Sequence, residues 1–181
     1  DLADPGDAEE FLKREIREIL SEEAFSLLQD LAALNTDLES NLDRATVEKA
    51  YTFSNFTRIF DELLDTGMLK KRKGEERIYL FSYHHIQEAL QDEKKERHEK
   101  ALGYYKNKID KIGKNPDDLV ELLFHQLYLE PNKKLIDDFL AVKEVLSPVH
   151  YGFRRLIDVG DVLRNRSEFS DAEQAPIYGT L

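Results

Sequence analysis

The stretch Phe56-Thr57-Arg58-Ile59-Phe60-Asp61-Glu62-Leu63-Leu64-Asp65-Thr66-Gly67-Met68-Leu69-Lys70-Lys71-Arg72-Lys73-Gly74-Glu75-Glu76-Arg77-Ile78-Tyr79-Leu80-Phe81 decides the fold. Phe56, Ile59, Phe60, Leu63 and Leu64 recur at helical spacing and predict a helix that Ser54 can cap. Gly67 supplies a left-handed stop. Leu69–Arg72 and Arg77–Phe81 then read as two strands joined by a turn at Lys73-Gly74-Glu75-Glu76. Ser82 opens the next helix, Tyr83-His84-His85-Ile86-Gln87-Glu88-Ala89-Leu90.

Upstream, a helix over about Leu42–Ala50 carries Ala45, Val47 and Ala50, and Tyr51-Thr52-Phe53 joins it to the Phe56 helix. A short helix, a tight turn, a longer helix and a hairpin form a winged helix-turn-helix with a small β-hairpin wing. Ahead of it, Asp7 can cap a helix to about Leu20 with Phe11, Leu12, Ile16, Ile19 and Leu20 on one face. Ser21 can cap a second helix bearing Phe25, Leu27, Leu28, Leu31 and Leu34. A polar stretch follows to Asn41.

Beyond the wing the chain reads as helices. The longest runs from about Glu93 to Ile112 and stops at Gly113-Lys114-Asn115-Pro116. Pro116 suits a first turn, and Asp117 and Asp118 suit the positive end of a helix to about Leu129. Helices over about Lys133–Leu146 and Pro148–Arg164 follow, and Ser167–Leu181 has little pattern. The expected fold is therefore mainly α, a winged helix followed by a TPR-like helical array. Residues 1–41 form a helical lead-in packed on the winged helix. Residues 42–92 are the winged helix and its exit helix, 93–166 the array and 167–181 a tail.

Composition narrows the function. The chain has 181 residues, is 35% charged and carries a net charge of -11, a poor match to a polyanion partner. The charge is uneven. Residues 1–69 hold 6 basic and 17 acidic residues, whereas 70–114 hold 13 basic and 8 acidic. Only the middle segment is a place to seek a phosphate-binding surface. Without cysteine there is no disulfide framework, thiolate metal site or cysteine nucleophile, as in a cytoplasmic protein. No apolar run nears the span of about 18 residues that a membrane helix needs, so no membrane partner is expected. Because the sequence starts at Asp1 rather than Met, it is expected to be a piece of a longer protein.

The runs Phe60–Leu69, Tyr79–Leu90 and Arg97-His98-Glu99-Lys100-Ala101-Leu102-Gly103-Tyr104-Tyr105 resemble the region after the ATPase core in STAND-type and related AAA-like NTPases of archaea and bacteria. In that family a wing strand leads into a helix of the pattern Ser/His-x-x-Ile-x-Glu-Ala-Leu. An Arg-His helix then opens a TPR-like array. Phe124-His125-Gln126-Leu127-Tyr128 resembles the family's next helix. The resemblance covers about residues 42–130. It implies a regulatory segment whose winged helix docks on a neighbouring domain and whose array meets a protein or peptide. No G-x-x-x-x-G-K-[ST] phosphate loop occurs, so no cofactor is expected in this segment. On this resemblance the ATP-binding core would lie upstream in the parent chain.

Two surfaces are candidates. Asn55, Thr57 and Arg58 on the first helix of the quoted stretch, with Lys70, Lys71, Arg72, Lys73 and Arg77 on the wing, can contact DNA or a protein partner. Asp61, Glu62 and Asp65 oppose DNA, since they would face phosphates, and cations on a hairpin edge also serve to block stray strand pairing. Tyr104, Tyr105 and Tyr128 form a second candidate, a protein-partner surface, although such aromatics more often cement helix packing.

His84 with Glu88 lacks the further ligands that zinc needs. His125 among apolar residues reads as a packing histidine, and His98 as a surface one. No G-x-S-x-G or H-E-x-x-H pattern points to catalysis. The leading expectation is a non-catalytic protein-interaction segment, and the runner-up is a DNA-binding winged-helix regulator.

Overall fold

A computed structural model describes residues 5–34, 42–90, 94–113, 115–146, 152–167 and 169–178. Among the described residues there are ten helices and a small three-stranded antiparallel sheet. The chain divides into two compact units, Asp1–Lys100 and Ala101–Leu181. The division falls inside a continuous helix rather than near residue 92; residues 91–93 lie outside the described ones.

In the first unit, α1 (Pro5–Ile19) and α2 (Glu22–Ala32) come first. α1 starts at Pro5, ahead of Asp7, so Asp7 is not its cap. Ile16 and Leu20 are buried, whereas Phe11 and Ile19 are 54% and 59% exposed. Helical geometry explains the split: each of the exposed pair sits one residue, about 100° of rotation, away from the inward stripe. α2 is capped as expected, with Ser21 Oγ accepting from Ala24 N–H at 3.3 Å. The polar stretch at 35–41 lies outside the described residues.

Leu42 and Asp43 were expected to begin a helix but form a strand, β1 (Leu42–Asp43), which pairs with Tyr79 and Ile78. Asp43 then caps α3 (Arg44–Ala50) by accepting from Thr46 N–H at 3.1 Å. α4 (Phe56–Asp65) begins after Asn55, with no side-chain cap from Ser54 or Asn55. It ends at Gly67, whose φ of +73° is the left-handed value glycine tolerates.

β2 (Leu69–Lys71) and β3 (Ile78–Phe81) form the hairpin, in sheet order β1-β3-β2. Ser82 does not cap a helix. Its N–H donates to Met68 O at 3.0 Å and extends the ladder, and α5 (His84–Leu90) starts two residues later. α2 packs on α4, and Leu27, Leu28 and Leu31 of the first and Ile59, Phe60 and Leu63 of the second are all fully buried. The Phe60 ring lies edge-on to Tyr79 at 4.9 Å, joining α4 to the sheet. Burying each such side chain contributes about 1.5–3 kcal/mol.

α6 (Lys95–Ile112) begins in the first unit and ends in the second. There α7 (Pro116–Leu129), α8 (Lys134–Val145), α9 (Gly152–Asn165) and α10 (Asp171–Tyr178) follow. Pro116 occupies the first turn of α7, and Asn115 Oδ1 accepts from Asp117 N–H at 3.0 Å. α7 packs on α8 and α9 through Leu123, Leu127, Phe139, Leu156 and Leu163. The expected start of α9 at Pro148 lies outside the described residues.

The described part of the expected tail, residues 169–178, contains a helix. Phe169 and Ile177 are buried in the same core as α7–α9, and Glu173 in the first turn of α10 accepts from the Ser170 N–H and from the Ser170 hydroxyl, both at 2.9 Å. The pattern Ser170-Asp171-Ala172-Glu173 carries the S-x-x-E capping signature in the sequence.

Candidate interaction surface

α4 is amphipathic. Phe56, Ile59, Phe60 and Leu63 face the core, which turns Thr57, Arg58, Asp61, Glu62 and Asp65 outward or to the rim. Those outward polar groups are largely committed within the chain. Arg58 meets Glu23 at 2.6 Å and Glu62 at 3.8 Å. Asp61 accepts from Arg44 at 3.0 Å, and the Arg44 guanidinium also lies 4.9 Å from the centre of the Phe60 ring.

Glu62 reaches back to α2. Its carboxylate accepts from Ser21 N–H at 2.6 Å and from the Ser21 hydroxyl at 2.8 Å. The backbone hydrogen bond from Ser21 is the main cause that holds its carboxyl below the usual range, and Arg58 adds to it. An open groove along the start and outer face of α4 is lined by Glu48, Asp61, Glu62 and Asp65, with Arg58 its one basic side chain. Asn55 and Thr57 are exposed at its mouth. Four carboxylates against one guanidinium make this lining a poor surface for phosphate.

The β2–β3 hairpin has the opposite sign. Lys70, Lys71, Lys73 and Arg77 are exposed and have no acidic partner among the described residues. Arg72 is partly buried and bonds Glu75 at 3.3 Å across the turn, where Gly74 has φ +88°. The eight candidates from α4 and the hairpin therefore divide. Arg58 and Arg72 are spent on internal pairs, whereas the four remaining hairpin cations face solvent.

Tyr104 and Tyr105 do not form a partner surface: they are 2% and 1% exposed. Tyr105 stacks on His125 at 5.7 Å, and Tyr104 packs edge-on against Tyr105. The helical repeat explains this, because Ala101, Tyr104 and Tyr105 share one inward stripe. Tyr128 is partly buried and packs against Phe124 at 5.1 Å.

His98 is buried rather than on the surface, and so is its neighbour Arg97. Arg97 and Lys100 lie 3.8 Å and 2.8 Å from Asp30 of α2. Burial raises the Asp30 carboxyl above its usual range despite the two cations. The signal was present in the sequence, for Asp30 sits within the apolar stripe of Leu27, Leu28, Leu31 and Leu34 and needs a partner there.

The second unit has two comparable pairs. Arg155 bonds buried Glu121 at 3.1 Å and covers Phe124, and Lys108 meets buried Asp118 at 2.6 Å. In both pairs the carboxylate is buried. Among the described residues no three His, Asp or Glu side chains gather as a metal-binding group. None of the described helices is long and apolar enough to cross a membrane.

No family model, curated protein or solved structure matches this chain.

Proposed function

We propose that this chain is a non-catalytic protein-interaction segment of a larger NTPase-like signalling protein of the cytoplasm. Its first unit is read as a winged helix and its second as a TPR-like array. The order α3, α4, β2, β3, with β1 laid beside β3, supports the winged-helix reading. A nucleotide such as ATP would be handled elsewhere in the parent chain, and this segment would pass its state to a protein partner.

One observation carries the choice of adaptor over DNA reader. The helix that would enter a major groove presents Asp61, Glu62 and Asp65, and its one cation, Arg58, is tied to Glu23 and Glu62. The test is fluorescence anisotropy with labelled duplex DNA of mixed sequence between about 50 and about 200 mM salt. No salt-dependent binding is expected. Tight binding with a steep salt slope would overturn the adaptor reading.

A second reading, a DNA-binding regulator, draws on the exposed wing cations alone. It requires that Lys70→Ala, Lys71→Ala and Arg72→Ala together weaken DNA binding and flatten its salt slope.

A further inference from the structure

The wing offers more than charge. Arg72 N–H donates to Ile78 O at 2.8 Å and Ser82 N–H donates to Met68 O at 3.0 Å. These bonds fix the pairing phase of the β2–β3 ladder, whose register sets Lys70 opposite Leu80. Met68, Lys70 and Arg72 thus turn their backbone groups toward β3. Antiparallel pairing alternates at every residue, so Leu69 and Lys71 turn their N–H and C=O groups away from it. No strand lies on that side among the described residues, since β2 is the outer strand of the order β1-β3-β2.

Along this open edge and the adjoining turn stand Lys70, Lys71 and Lys73, all exposed. Glu75 is taken by Arg72, which leaves Glu76 as the one acidic side chain at the tip not engaged by a wing cation. Lys71 shares a sheet face with buried Leu69, and Lys70 points to the other face. An added strand would therefore meet a cation on each of its own faces.

We propose that the open edge of β2 is a docking strand for an acidic, extended segment of a protein partner. This deepens the adaptor reading above and rests on it. Strand addition supplies main-chain hydrogen bonds, and the lysines select carboxylates at cross-strand positions. Nucleic acid fits less well: it offers charge but no backbone amide to pair with Leu69 and Lys71, and the acidic groove of α4 belongs to the same unit.

The experiment uses the full 181-residue chain, isotope-labelled for amide NMR. The probe is a blocked peptide of alternating glutamate and valine, about ten residues long, with a lysine-valine peptide as control. The glutamate peptide should bind and shift the Leu69 and Lys71 amide signals, and it should slow hydrogen exchange at those positions. Lys70→Glu with Lys71→Glu should weaken it by about tenfold while leaving the melting temperature unchanged. Lys71→Pro removes an outward N–H that the β2–β3 ladder does not use, so it should abolish binding while the hairpin persists.

Failure of the glutamate peptide to bind at low salt would overturn the assignment. So would equal binding to the charge-reversed chain. Self-association of the charge-reversed chain without peptide binding would show that the lysines only shield the edge, which also overturns it. These results leave the adaptor reading standing if duplex DNA is silent too. Duplex DNA displacing the peptide from the wing would sink both.

Discussion

Glu62→Ala tests why an acidic residue sits on the outer face of α4. The carboxylate receives two hydrogen bonds from Ser21, at 2.6 and 2.8 Å, and a looser contact from Arg58 at 3.8 Å. Hydrogen bonds to a charged group are worth about 1.5–3 kcal/mol each when both partners are sequestered. Ser21 is only partly buried, so water can replace part of that on its N–H. The Arg58 contact adds a few tenths of a kcal/mol at most.

The substitution should therefore cost about 2 kcal/mol, read from urea unfolding at neutral pH. Ser21→Ala removes the hydroxyl bond to Glu62 and the cap on Ala24 N–H, and should cost about 1 kcal/mol. The double variant should cost less than the sum, because both changes remove the same bond. The sign with pH follows from the lowered carboxyl. Glu62 contributes fully above its unfolded value near 4.5 and loses that contribution as pH falls through its lower folded value. The gap between wild type and Glu62→Gln should therefore close on acidification. A Glu62→Ala chain within about 0.5 kcal/mol of wild type at neutral pH, or a gap that widens in acid, would refute the capping role.

Gly67→Ala should cost about 1 kcal/mol from backbone strain alone, since φ is +73° and an added Cβ meets nothing within 4 Å; Gly67→Asn should cost less in the same melt. Arg155→Ala removes the Arg155 bond to buried Glu121 and should cost about 3 kcal/mol, whereas Glu121→Leu with Arg155→Met should recover most of it in urea unfolding. Glu173→Gln should loosen α10 first, seen as faster amide exchange over 171–178. The Lys133 hydrogen bond and those from Ser170 hold the Glu173 carboxyl down at about 2, so wild-type α10 should loosen only as pH falls toward that value. Unchanged exchange in the variant would show that the Ser170–Glu173 bonds do not hold this helix.

Most helices were legible because their signals are local. Ser21 as a cap, Gly67 as a stop and Pro116 in a first turn each act within one helical turn. The hairpin was legible from its alternation, Ile78-Tyr79-Leu80-Phe81. Of the candidate surface, the exposed wing lysines were legible as charge. The internal commitments of Arg58 to Glu23 and of Glu62 to Ser21 were not, because those partners lie 35 and 41 residues away.

By itself the sequence determined the helix-rich class, the hairpin and its basic charge, since hydrophobic period, turn residues and charge are properties of neighbouring residues. The tertiary structure alone decided the rest. Leu42 and Asp43 are too short a run to show strand alternation and become β1 only because β3 arrives beside them. Arg97 and His98 look like surface residues until α6 lies against Asp30, and Tyr104 and Tyr105 look available until packing buries them. The open edge of β2 likewise exists only because the sheet order puts β3, not β2, in the middle. Burial and pairing are set by which distant surfaces meet, and no local pattern records that meeting.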